Sequence, residues 1–139
     1  MNNANNREQI DKFRSDFIDA CQNGWVANVS SLLHSANCPT GNDFREMLFS
    51  GFYGAAVCFQ DDVVKYLYPK YDMYLDAIVE FLELCERGNS NLVDYFISLN
   101  HPTLHKKIEH NINSAIDRSH EYKDINKQLK NLKKKNGWK

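Results

Sequence analysis

Phe81-Leu82-Glu83-Leu84-Cys85-Glu86-Arg87-Gly88-Asn89-Ser90-Asn91-Leu92-Val93-Asp94-Tyr95-Phe96-Ile97 holds two short amphipathic segments joined by Gly-Asn-Ser-Asn. Phe81, Leu84 and Cys85 stand at i, i+3 and i+4, one stripe of a helix. Gly88 follows where a helix C-terminus favours a residue that tolerates positive φ. Ser90 or Asn91 then caps a second segment, whose apolar stripe is Leu92, Val93, Phe96 and Ile97. Neither segment persists alone, because isolated helices below about 12–15 residues are marginal in water. Neighbours must hold both, and the rest of the chain supplies imperfect copies.

Working outward, the same spacing recurs. Ile10, Phe13, Phe17, Ala20 and Cys21 form one stripe that Gly24 stops, and Val26, Val29, Leu32 and Leu33 form the next. Residues 35–42 are dense in turn formers and read as a loop. Asn42 or Asp43 caps a segment carrying Met47, Leu48, Phe52, Ala55 and Ala56. Asp61 and Asp62 start another, with Val63, Val64 and Leu67, and Pro69 is expected to end it. The first helix of the opening stretch is expected to begin near Asp72. Beyond the break at residues 100–103, Leu104, Ile108, Ile112, Ala115 and Ile116 make one longer stripe, and Ile125, Leu129 and Leu132 close the series. No run alternates as a strand would, so the reading is all-α.

Composition bounds the rest. A chain of 139 residues with 42% apolar and 25% charged side chains is long enough for one continuous core. Net charge is −1, so no global field favours nucleic acid or membrane. No run approaches the roughly 20 apolar residues of a membrane span. The polar start, Met-Asn-Asn-Ala-Asn-Asn-Arg, has no signal-peptide core. Four cysteines, at 21, 38, 58 and 85, show no Cys-x-x-Cys and mostly fall in apolar patterns, which points to reduced buried thiols and a cytoplasmic setting. Residues 1–6 are expected to be disordered, 7–132 to form a single helical repeat domain, and 133–139 to be a basic C-terminal tail.

The copies can be aligned. Sliding the opening stretch back 64 residues puts Phe81, Cys85, Gly88 and Val93 on Phe17, Cys21, Gly24 and Val29. A slide of 29 puts Leu84 and Cys85 on Ala55 and Ala56, Leu92 and Val93 on Val63 and Val64, and Gly88 on Phe59, a departure. A slide of 31 forward reaches Ile112, Ala115 and Ile116, after which one inserted residue is needed. The core pattern is an apolar residue, two small residues, Gly, then Val-x-x-Leu-Leu. In the first copy it reads Phe17, Ala20-Cys21-Gln22-Asn23-Gly24, Val29-Ser30-Ser31-Leu32-Leu33. At these residues the chain resembles the ankyrin repeat family, whose period is about 33 residues. The family's Thr-Pro-Leu-His helix start is absent, and its Gly-Ala-Asp-Val-Asn finger survives as a trace in Ser35-Ala36-Asn37.

The resemblance implies a short ankyrin-like helix-pair solenoid with longer capping helices; an irregular helical bundle is the alternative. It also implies a non-catalytic protein–protein interaction module, in which the first helix of each pair lines a concave face. Asp19, Gln22, Asn23, Val57, Glu83, Glu86 and Arg87 would project there. Asp72, Asp76, Glu80, Glu83 and Glu86, spaced by threes and fours, are read as one acidic stripe suited to a basic or mixed partner protein. Tyr66, Tyr68, Tyr71 and Tyr74 crowd the end of the second copy, where tyrosines are common interface anchors. Trp25 falls in an inter-helix turn and is expected to be exposed. Small degenerate repeats of this kind resemble viral or intracellular-pathogen proteins that engage host factors, which would place the chain in a host cytosol.

Other chemistries find less. His101, His105, Glu109 and His110 lie close in sequence, but a zinc pair on a helix wants i, i+4 spacing, and solvated or capping roles fit better. No nucleophile stands beside a base, Gly51-Phe52-Tyr53-Gly54 reads as close helix packing, and no cofactor or enzyme signature stands out. A small enzyme using Glu83, Glu86 and a histidine is one alternative. Binding of nucleic acid or an anionic surface is another, because residues 122–139 hold seven Lys and one Asp.

Overall fold

A computed structural model describes residues 3–139; Met1 and Asn2, the start of the segment expected to be disordered, lie outside the described residues. Every regular element among them is helical: α1 (Asn3–Gln22), α2 (Val26–Leu33), α3 (Gly41–Val57), α4 (Asp61–Tyr71), α5 (Ile78–Arg87), α6 (Ser90–Ser98), α7 (Pro102–His110), α8 (Ile112–Arg118) and α9 (Lys123–Asn136). The all-α reading therefore holds. The described residues include no strand, so hairpin fingers are absent from them.

Two compact units divide the chain, Met1–Leu75 and Asp76–Lys139. In the first, α1 packs on α2 and α3, α3 on α4, and α2 on α4. Phe17, Ala20 and Cys21 of α1, Val29 of α2, Met47, Leu48, Phe52, Ala55 and Ala56 of α3, and Val63, Val64 and Leu67 of α4 are its buried core. The α1–α3 contact is close because Gly51 lacks a side chain: a Cβ there would collide with the Phe17 ring and approach Cys21 Sγ at 2.9 Å. In the second unit α5 packs on α6 and α8, α8 on α9, and α6 on α9. Phe81, Leu84, Cys85, Leu92, Val93, Phe96, Leu104, Ile108, Ile112, Ala115, Ile125 and Leu129 are buried there.

Three inter-helix turns share one backbone solution. Gly24, Phe59 and Gly88 take φ of +76°, +58° and +83°. The next residue's N–H reaches back five residues: Trp25 donates to the Ala20 carbonyl at 2.9 Å, Gln60 to Ala55 at 2.8 Å, and Asn89 to Leu84 at 3.0 Å. Each of those residues then N-caps the following helix, and its carbonyl accepts from Val29, Val64 or Val93. This is the left-handed C-cap that satisfies orphan helix carbonyls. The departure of Phe59 from glycine is thus a change of residue on the same backbone path. The cap of α6 is Asn89, whose Oδ1 accepts from Leu92 N–H at 3.1 Å, in place of Ser90 or Asn91. The fourth turn differs. Leu92 and Phe96 correspond to Ile125 and Leu129 at a spacing of 33, so two residues are inserted after α8 rather than one. Polar side chains serve there: Ser119 Oγ and Asn126 Nδ2 both donate to the Ile116 carbonyl, at 3.0 and 2.9 Å.

Several sequence-based boundaries shift for local reasons. α4 runs two residues past Pro69, since a proline in the last turn removes only one ladder bond near carbonyls that water reaches. α5 starts at Ile78, because Ala77 takes a left-handed φ of +49° that breaks any helix coming from Asp72. The expected long stripe 104–116 is two short helices, parted at Asn111, whose side chain donates to the Lys107 carbonyl at 2.8 Å. α3 is N-capped by Thr40, not by Asn42 or Asp43.

Candidate functional site

In the first unit, Asp19, Gln22 and Asn23 are exposed around the end of α1. Asn23 Nδ2 donates back to the Asp19 carbonyl at 2.7 Å, and the Gln22 side chain lies across Gly54 of α3. Gln60 Nε2 donates to the Gln22 carbonyl at 2.9 Å, so the first turn is tied to the second. Trp25 is 52% exposed. With Asp16, Asp19, Ala20, Asn28, Ser31 and Leu32 it lines a groove of about 390 Å³ between α1 and α2. An indole beside two carboxylates suits a segment that is both apolar and cationic.

The tyrosines separate by helix face. Tyr68 is 2% exposed and stacked on Phe52, with ring centroids 6.0 Å apart, so it belongs to the core and offers no surface to a partner. Tyr66 is half-buried and carries Lys70 Nζ 5.1 Å from its ring centroid. Tyr71 meets Phe44 edge-on at 5.8 Å, and burial pushes its phenol up, with Tyr66 and Cys38 adding to the shift. Tyr74 meets the same Phe44 edge-on at 6.3 Å and lies under the Arg45 guanidinium.

In the second unit Glu83, Glu86 and Arg87 share the outer face of α5, and Arg87 Nε pairs with Glu83 at 3.1 Å. Asp72 and Asp76 do not extend this face as expected, because both precede the helix; Asp76 pairs instead with Lys107 of α7 at 2.7 Å. The acidic row on α5 is therefore Glu80, Glu83 and Glu86. Glu80 is half-buried, and burial raises its carboxyl above the ordinary range; Asp76 and Glu83 add to this, against its own backbone hydrogen bond. A raised folded-state pKa means stability present below the unfolded carboxylate range, near about pH 4, and lost as pH climbs through the raised value. Glu80→Gln is expected to raise Tm at pH 7, with the gain vanishing toward about pH 4 in calorimetry.

The thiols are all free. Burial pushes Cys21 and Cys85 up to about 12, which leaves them protonated and poor nucleophiles at neutral pH. Cys38 is half-buried and shifted up by burial, and Cys58 is exposed at the C-cap of α3. Iodoacetamide at pH 8 is expected to label Cys58 first, Cys38 more slowly, and Cys21 and Cys85 only after denaturation, as read by peptide mass spectrometry.

The histidines have structural work. His101 N-caps α7, its Nδ1 accepting from Leu104 N–H at 3.2 Å, and His105 meets Trp138 edge-on at 5.1 Å. Among the described residues no three His, Cys, Asp or Glu side chains gather as a metal set, and no helix is long and apolar enough to cross a membrane.

One surface is not legible in the sequence, and another is legible only as a basic segment without its groove. Phe49 and Tyr53, one turn apart on α3, are 46% and 37% exposed. They were hidden because α3 is apolar nearly all round, so no stripe set them apart from Met47, Leu48 and Phe52. The other is a lysine-lined groove between α8 and α9, bounded by Lys130, Lys133, Lys134 and Trp138. Its signal was present as the 4-3-4 spacing of Lys123, Lys127, Lys130 and Lys134. No protein-family model matches this chain, and no curated protein or solved structure matches it either.

Proposed function

We propose that the chain is a degenerate ankyrin-like array of helix pairs that works as a non-catalytic module binding another protein. The observation carrying this reading is a register match on two helices. Asp19 and Gln22 of α1 with Asn23 just past its end, and Glu83, Glu86 and Arg87 of α5, are related by the same 64-residue spacing that relates buried Phe17 to Phe81 and Cys21 to Cys85. Inward positions keep apolar identity at both helices, while the outward ones keep polarity, all exposed except the half-buried Glu83. Trp25 beside Asp16 and Asp19 adds an aromatic anchor of the kind that dominates interface energetics. A partner segment with basic and apolar side chains fits this chemistry.

The cysteines argue for binding over covalent catalysis, since the two at equivalent repeat positions are buried and held protonated. The test is quantitative crosslinking mass spectrometry on affinity-captured complexes, with wild type beside Glu83→Lys/Glu86→Lys and Asp19→Lys/Trp25→Ala. Selective loss of the same partner from both variants, with unchanged far-UV circular dichroism, supports the reading. An identical partner profile in all three removes these residues from any interface.

A further inference from the structure

Cationic groups outside α9 find carboxylate partners within or between helices: Arg7 with Asp43, Lys12 with Asp16, Arg14 with Glu46, Arg87 with Glu83 and Lys107 with Asp76. The lysines of α9 do not. Residues 122–139 hold seven Lys against one Asp, and among the described residues none of these lysines lies within ion-pair distance of a carboxylate. Lys123, Lys127, Lys130 and Lys134 recur at 4-3-4 spacing along one exposed face, a row about 16 Å long at 1.5 Å per residue. Like charges three and four apart disfavour a helix. Here the helix is held by its opposite face, where Ile125 and Leu129 are buried. The row thus has a cost to the fold and no ion-pair use within it.

Beside this row the chain builds a fixed aromatic wall. Gly137, at φ +67°, ends α9, and Trp138 N–H turns back to the Lys133 carbonyl at 2.9 Å. Asn113 of α8 clamps the end twice: its Oδ1 accepts from Lys133 Nζ at 2.8 Å and its Nδ2 donates to the Lys139 carbonyl at 3.2 Å. His105 meets the indole edge-on. The result is an open groove of about 510 Å³, lined by Asn113, Ile116, Asp117, Lys130, Lys133, Lys134 and Trp138. Asp117 is the single carboxylate among three ammonium groups.

We propose that this α8–α9 groove binds single-stranded nucleic acid, with the lysine row tracking phosphates and Trp138 stacking on an unpaired base. Rows of ammonium groups beside a held aromatic ring are how sequence-tolerant single-strand sites are made. A duplex keeps its bases stacked internally and offers the ring nothing. An interfacial helix must bury its apolar face in the lipid, and on α9 that face, Ile125 and Leu129, is already turned into the core. This site is independent of the protein-binding face proposed above, so either reading stands or falls alone.

Fluorescence anisotropy of a labelled oligothymidylate and an oligouridylate, titrated from about 50 to 200 mM salt, tests it. Wild type is expected to bind with a salt slope that drops by about 2 in Lys127→Gln/Lys130→Gln/Lys134→Gln, as three lost phosphate contacts at about 0.7 each require. Trp138→Ala is expected to weaken binding about tenfold and leave the slope unchanged. In a Trp25→Phe background, oligonucleotide is expected to quench the remaining indole emission. The three lysines and Trp25 are exposed and Trp138 is half-buried, and unchanged thermal melts confirm that the variants fold. Absence of binding at low salt overturns the proposal, as does equal binding by the triple variant. Poly-glutamate or anionic phosphatidylserine vesicles binding as tightly, with no dependence on Trp138, also overturns it in favour of an acidic protein or a lipid surface.

Discussion

Gly51→Val is expected to abolish the cooperative unfolding transition of this protein. Gly51 lies where α3 crosses α1, and even a single methyl there collides with the Phe17 ring and crowds Cys21 Sγ. Phe17 and Cys21 are fully buried, so neither has solvent to swing into. Overpacking of this kind costs about 1–3 kcal/mol for a methyl-sized intrusion, and valine adds two further carbons. Against a total stability of about 5–15 kcal/mol, the larger substitution removes a decisive share. Gly51→Ala is expected to lose up to about 2 kcal/mol, because alanine recovers about 1 kcal/mol of helix propensity against the clash. Gly54→Ala is the control. Its Cβ would meet only the side chain of exposed Gln22, at 3.0 Å, which can move aside. Urea denaturation should place Gly54→Ala at or above wild type and Gly51→Ala below it. Phe17→Leu in the Gly51→Ala background is expected to recover part of the loss.

The second large effect concerns the turns. Gly88→Ala is expected to destabilise by about 1–2 kcal/mol from the left-handed backbone alone. It should lose more because the new Cβ meets the Tyr122 ring. The two contributions separate in a double-mutant cycle with Tyr122→Ala, which should remove only the steric part. Gly24→Ala follows the same logic, with Gln60 in place of Tyr122. Phe59→Gly is expected to go the other way, gaining up to about 1 kcal/mol, because Phe59 is half-exposed and holds a φ of +58° that disfavours any residue with a Cβ. Opposite signs at equivalent turns, measured by chemical denaturation, are the expected signature. Matching losses at all three would mean that the turns are not equivalent.

Much of the interior was legible because burial follows residue type at helical spacing. Phe17, Cys21 and Val29 stand 64 residues before Phe81, Cys85 and Val93 in the sequence, and all six are fully buried. The backbone exceptions were not legible. Nothing in Phe59 or Ala77 announces a left-handed conformation, since tertiary packing imposes it against local preference. Pro69 misled for the converse reason, because its penalty shrinks in a last turn. Tyrosine is ambivalent by chemistry, apolar in body and polar at the tip, so Tyr66 and Tyr68 could be separated only by seeing which one meets Phe52. The α8–α9 groove was half legible. The lysine spacing lay in plain view, but the return of Trp138 onto the helix depends on Gly137 and on Asn113, which is twenty-five residues away.

The side chains that roof the glycine turns carry an evolutionary consequence. Gln60 occupies the space a Cβ at position 24 would need, and Tyr122 does so at position 88. Each pair therefore divides one fixed volume between two distant positions. Sequences descended from a common ancestor with this chain should show the two exchanging bulk: a side chain gained at 24 or 88 with a shorter residue at 60 or 122. Such paired substitutions would keep a record of each turn's contact, readable even after the apolar stripes have drifted.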